Sequence, residues 1–194
     1  MRASSVGLVL AAAVVGFAQD KEDKAKDKPA KKPPVATAVG SLEMQVPGDW
    51  VKRKPVRQFR ILEWGIPTAE GDEKAPVCYV SELGGGGGGA EANIRRWEGE
   101  YEEKDGEAKK EKFEADGVKI SVVDVAGTFK ESMGGGPFAP GKVELRKEYR
   151  TLAAWVEPEG GDRVFSIKLV GPKKSVAAQH DDFIKMLKST KVKK

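Results

Sequence analysis

Apolar and polar positions alternate with a period of two through much of the chain. Leu42, Met44 and Val46 alternate with Ser41, Glu43 and Gln45, which predicts a strand over 41–46 with one buried face. Pro47, Gly48 and Asp49 form a turn signal before Trp50. The stretch RQFRILEWG, 57–65, predicts a second strand, with Phe59, Ile61 and Glu63 on one face and Leu62 and Trp64 on or near the other. APVCYVSEL, 75–83, predicts a third. A hairpin signal at Asp116-Gly117 leads into 118–130, where Val118, Ile120, Val122 and Asp124 oppose Val123 and Val125. Gly127 in that run marks a bulge or a close backbone approach. Two further strands follow. Over 147–158, Tyr149, Thr151, Ala153 and Trp155 oppose Leu152, Ala154 and Val156; over 163–171, Val164, Ser166, Lys168 and Val170 oppose Phe165, Ile167 and Leu169.

The period changes twice. In GGGGGGAEANIRRWEGEY, 84–101, Ile94, Trp97 and Tyr101 recur at helical spacing behind six glycines. Near the end, Val176, His180, Phe183 and Leu187, widened by Ile184, form the apolar stripe of a helix over about 173–190. Residues 102–112 predict a charged bridge with a turn at Asp105-Gly106 and a short strand at 112–115, and 132–141 predicts a loop that contains Phe138. Strands, helix, strands in hairpins, helix is not the strict alternation of a parallel sheet. The fold class expected is α+β, a central antiparallel sheet flanked by helices.

The ends read differently from the middle. Met1-Arg2, an apolar run from Val6 to Phe17, and Gly16-Phe17-Ala18 fit a signal peptide over 1–18. That run is too short to span a bilayer, which takes about 20 apolar residues, so no transmembrane span is expected after its removal. Residues 19–38 are charged, proline-bearing and nearly free of large apolar groups, which predicts a disordered linker. A single α+β domain is then expected over 39–194, in a periplasmic or secreted protein. Cys78 is the only cysteine of the 194 residues, so no internal disulfide supports the core. In its strand context Cys78 reads as a small buried hydrophobe, with an intermolecular disulfide or a reactive thiol as the sharper alternatives.

Net charge is +4, but residues 35–194 carry 27 basic and 26 acidic side chains. The excess sits on the tails, so the domain lacks the basic footprint of a nucleic-acid binder, and no nucleic-acid partner is expected. The glycine run followed by a helix invites an anion-binding reading through Gly87, Gly88 and Gly89. Against it, Ala90-Glu91 stand where a phosphate loop carries lysine and a hydroxyl residue. Asn93 and Arg96, one helical turn in, are candidate ligand residues, since arginine forks onto a carboxylate or sugar acid; pairing with nearby acids is the plainer role. His180 is the only histidine, so no multi-histidine metal site exists, and no metal or cofactor is expected. No G-x-S-x-G elbow is present, and no catalytic residue is singled out. Trp50, Trp64, Trp97 and Trp155 all fall in predicted elements, with core packing as the default for each.

Three local patterns carry a family resemblance: a first strand ending in Val46-Pro47-x-x-Trp50; the glycine loop followed by Ala92-Asn93-Ile94-x-x-Trp97; and a closing 165–172 strand followed by Val176 and Phe183-x-x-x-Leu187. Over residues 39–190 the chain resembles the PsbP-like group of exported domains, relatives of an extrinsic photosystem subunit. The resemblance implies a PsbP-like α/β/α sandwich and an accessory or assembly role, and it carries no site residues. The glycine run and the 132–141 loop depart from the plant subunit, so no photosynthetic role is carried over. The expectation is an exported, non-enzymatic accessory or binding domain with an unknown protein or small-molecule partner, working near the glycine loop. The alternatives are an exported hydrolase using Asp, Glu or Ser side chains that converge only in the fold, and a module whose basic tails contact the envelope.

Overall fold

The computed structural model describes residues 30–134 and 141–193. The expected signal peptide, most of the expected linker, and 135–140 of the expected loop with its Phe138 lie outside them; Ser132 and Met133, expected in that loop, end a strand. The strands are β1 (Val35–Val39), β2 (Leu42–Val46), β3 (Val51–Arg53), β4 (Arg60–Gly65), β5 (Val77–Gly84), β6 (Tyr101–Lys104), β7 (Lys109–Ala115), β8 (Val118–Met133), β9 (Lys142–Pro158), β10 (Arg163–Pro172) and β11 (Lys191–Val192). Helix α1 (Ala90–Glu98) follows β5, while α2 (Lys173–Ala178) and α3 (His180–Lys188) follow β10. Eight strands form one sheet in the order β3-β4-β5-β10-β9-β8-β6, with β7 also on β8; β1, β2 and β11 form a second. Every pairing among the described residues is antiparallel. The molecule is therefore mostly antiparallel sheet with a few helices, and residues 31–194 form one compact unit.

Alternation sorts the sheet's side chains into two clusters. The larger contains Cys78 and Val80 of β5, Leu152, Ala154 and Val156 of β9, and Phe165, Ile167 and Leu169 of β10. Leu42, Met44 and Val46 of β2 join it, with Phe183, Met186 and Leu187 of α3. The smaller takes the intervening positions: Val123, Ala153, Trp155 and Val164, closed by Ile94 and Trp97 of α1. All four tryptophans are buried. So is Cys78, and burial pushes its thiol far above the usual range, leaving it the small apolar residue expected.

Local signals account for several joints. Asp116 and Gly117 both have positive φ (39° and 75°) and join Ala115 to its partner Val118 as a two-residue hairpin turn. At Gly127 (φ 145°) the β8 register shifts, and a Cβ would run into the Glu103 carbonyl oxygen, so the bulge and the close approach occur together.

Five expectations need correction. The tail of the predicted linker, 35–38, is strand: β1 pairs with β2 along its whole length. The first helix ends at Glu98, and Tyr101 lies on β6, its hydroxyl 2.8 Å from Thr151 Oγ1 in the sheet. The charged bridge 102–112 is mostly β6 and β7. The long final helix breaks at Gln179, whose Oε1 accepts from Trp50 Nε1 at 2.9 Å. Past the break His180 is half-buried and hydrogen-bonded, its ring 40% exposed and 3.1 Å from Asp181, so it stands outside the fully buried stripe of Phe183, Met186 and Leu187. Strand β4 also starts three residues late. Phe59 sits ahead of it with φ 73° and is 74% exposed, so it belongs to no strand face.

Candidate functional site

The five residues singled out beside the glycine run do come together. Gly85–Gly88 form a 3-10 turn, and Gly87, Gly88 and Gly89 all have positive φ. Gly87 is fixed by contact: a Cβ there would lie 2.6 Å from the ring of buried Trp155. Asn93 is buried, and its side-chain amide donates to the carbonyl oxygens of Gly87 and Gly89, each at 2.9 Å. Its Oδ1 accepts from Arg96 at 2.8 Å. Asn93 thus ties the loop to the first turn of α1. The carbonyls of Gly87 and Gly89 turn inward to Asn93, an arrangement that differs from the ring of N–H groups an anion requires.

Arg96 leads elsewhere. With Trp97, and with Glu100 just beyond α1, it lines one wall of a cleft of about 290 Å³. The floor is the sheet face that carries the small cluster, where Tyr79 and Ser81 of β5 lie beside Ser166 and Lys168 of β10. Residues 57–60 form the lip. Lys168 is 4% exposed and donates to Glu100, with its ammonium 5.7 Å from the Phe129 ring centroid. Arg60 lies 3.7 Å over the Tyr79 ring and pairs with buried Glu63 at 2.7 Å. Arg57 and Arg96 differ from these two cations. Among the described residues neither has a carboxylate partner; Arg57 donates to the Ser132 carbonyl at 3.1 Å and Arg96 only to Asn93.

A buried ion pair on a sheet adds little stability over an apolar pair of the same volume. Lys168, in a strand whose neighbours Ile167 and Leu169 are fully buried, is therefore poorly explained by stability alone. That lysine, between two apolar neighbours, is a trace of the cleft floor in the sequence, and it is not among the residues singled out above. Phe59 at the lip had no comparable signal, because its pattern fitted a strand face.

Ser175 has a structural role. Ser175 Oγ is buried, donates to Asp72 at 2.6 Å and accepts from the Ala69 N–H at 2.8 Å, fastening the β4–β5 connection to α2. Among the described residues no group of three His, Cys, Asp or Glu side chains is placed to hold a metal ion. No described helix is long and apolar enough to cross a membrane.

No protein-family model matches the chain, and no curated protein matches it in sequence. Solved structures do. The cyanobacterial PsbP (CyanoP) from Synechocystis sp. PCC 6803 superposes with a TM-score of 0.50 over 82% of this chain and 92% of its own, at 11% identity. The fold is PsbP-like. The Ran-binding protein Mog1p from Saccharomyces cerevisiae gives 0.48 over 84% and 95%, also at 11% identity. A protein from Bacteroides thetaiotaomicron VPI-5482 gives 0.46 at 10% identity over 84% of this chain. The present chain spans about half, 48%, of that protein's length. At these identities the likeness is one of fold alone.

Proposed function

We propose that the protein is an exported, non-enzymatic accessory domain of the PsbP-like α/β/α sandwich kind, and that it binds its partner in the cleft beside α1. One observation carries this reading. Arg57 and Arg96, without a carboxylate among the described residues, flank a floor that holds a buried lysine. Arginine is cationic at any physiological pH, and two uncompensated guanidinium groups at one concavity favour an incoming group. The cleft lined by Asp124, Arg150 and Lys173 differs in this respect. There Asp124 holds Arg150 at 2.6 Å and Asp105 holds Lys173 at 2.6 Å. Export rests on the N-terminal pattern of 1–18. It places the working domain in a periplasm or outside the cell, on a chain segment rich in lysine and proline.

The test is a fragment screen on the 15N-labelled full-length chain, covering acids, sugars, amines and short peptides. Binders are expected to shift the amides of Ser81, Trp97 and Ser166 and to be released unchanged. Binders that shift only distant amides, or turnover of any ester, glycoside or peptide in the set, would overturn the reading.

A further inference from the structure

Resting on that cleft, we infer that the group it receives is a carboxylate joined to a flat apolar body. The charge pattern comes first. The cleft's four cations divide into two kinds: Lys168 and Arg60 already hold Glu100 and Glu63, while Arg57 and Arg96 hold only neutral oxygens. A guanidinium on an amide or carbonyl oxygen keeps N–H groups and full charge for a carboxylate, which it binds in a planar fork.

Glu100 narrows the choice of anion. Its carboxylate is the protein's own occupant of the cleft, seated on the floor lysine. It shows that the site accommodates a carboxylate. Ser81 and Ser166 face each other in register across β5 and β10. Neither hydroxyl makes a side-chain hydrogen bond within the described protein, so each is open to a ligand oxygen.

The apolar half follows from the lip. Phe59 is 74% exposed, and its backbone sits at φ 73°, a conformation bulky residues rarely adopt. Such strain persists where surrounding structure imposes it, and it gathers at ligand clamps. Here the loop is held from both sides, by Arg57 on Ser132 and by Arg60 on Glu63. Phe59 at the lip and the half-buried Tyr79 on the floor supply aromatic surface in the same cleft. A volume of about 290 Å³ suits one such group.

Calorimetric titration of the full-length chain tests this with four probes: 3-phenylpropionate, its uncharged amide, N-acetyl-glutamyl-phenylalaninamide and inorganic phosphate. The acid is expected to bind, the amide to bind about tenfold more weakly or worse, and phosphate to bind weakest. Arg96→Gln and Arg57→Gln are each expected to weaken the acid about tenfold. Arg57 does not touch the Asn93 tie, so its variant keeps the test readable if Arg96→Gln unfolds. Both carboxylate sources support the inference: tighter binding of the peptide assigns the acid to a partner protein, and tighter binding of the free acid assigns it to a small molecule. Equal binding of acid and amide, a preference for phosphate, or folded variants of unchanged affinity would overturn the carboxylate assignment and leave the cleft standing. Probes and fragments of every class missing the cleft amides would sink both.

Discussion

The two faces of the eight-stranded sheet are built from alternate residues of the same strands, yet their chemistry differs. On β10, Phe165, Ile167 and Leu169 enter one continuous apolar cluster, together with α3 and the small sheet. Between them, Ser166 and Lys168 face the other side, where α1 covers only part of the surface and leaves a polar cleft. Stability is concentrated on the first face, since apolar area removed from water is the main favourable term in folding. The second face keeps enough apolar contact, Trp97 against Trp155 at 6.4 Å between ring centroids, to hold α1 in place. Its remaining positions can then serve recognition. A sheet with every strand buried on both faces would have little room for such a site.

The largest expected break in this comparison is Phe183→Ala on the apolar face. Phe183 is fully buried in the large cluster, and removal of its ring is expected to cost about 3–5 kcal/mol, read as a lower urea midpoint at unchanged slope. A loss under about 1 kcal/mol would mean that α3 is only loosely docked.

On the other face the expected effect is smaller. Gly87→Ala places a methyl group 2.6 Å from the Trp155 ring at a φ of 49°, costing about 2–3 kcal/mol. Gly84→Ala, three residues earlier, meets nothing within 4 Å and has no positive φ, so its effect is expected within about 0.5 kcal/mol. Equal effects at the two glycines would show that the run acts as a spacer and not as a fitted contact with Trp155.

The smallest effect is electrostatic. The hydrogen bond from Lys112, with its charge second, holds the Glu91 carboxyl below the usual carboxylate range. A carboxyl whose folded pKa is lowered contributes stability above its unfolded value, about 4.3. That contribution is lost as pH falls from there through the lower folded value. Glu91 should therefore show an NMR titration midpoint below that of an unpaired glutamate, restored by Lys112→Met. Both groups are exposed, so the effect on global unfolding should be slight. An unshifted midpoint would remove the ion pair from the account.

Legibility from sequence followed burial. Strands with one apolar face, such as 118–125 and 152–156, announce themselves because alternation reflects the core directly. Strand β1 and the first part of β7 do not, although the short strand expected at 112–115 is the end of β7. In β1 only Val39 is buried, and in β7 four residues from Lys109 to Lys112 face water; backbone ladders hold them, and these leave no trace in side-chain pattern. The break at Gln179 was hidden for a related reason: α2 and α3 bury their apolar residues on a similar period, so the stripe reads through the joint. At the site, Arg96 and the glycine run were recognisable locally. The cleft was not, because Arg57, Arg96 and Lys168 are brought together only by the pairing of β4, β5 and β10.

The affinity for 3-phenylpropionate in two variants, set against the parent chain, separates a face for stability from a face for recognition. Phe183→Leu keeps an apolar side chain on the packed face; Arg57→Gln alters the cleft and its tie to the Ser132 carbonyl and leaves the packed face untouched. Phe183→Leu is expected to be destabilised yet to bind with parental affinity, and Arg57→Gln to stay stable and bind about tenfold more weakly. Weakened binding in Phe183→Leu, measured where that chain is still fully folded, with none in Arg57→Gln, would contradict that separation.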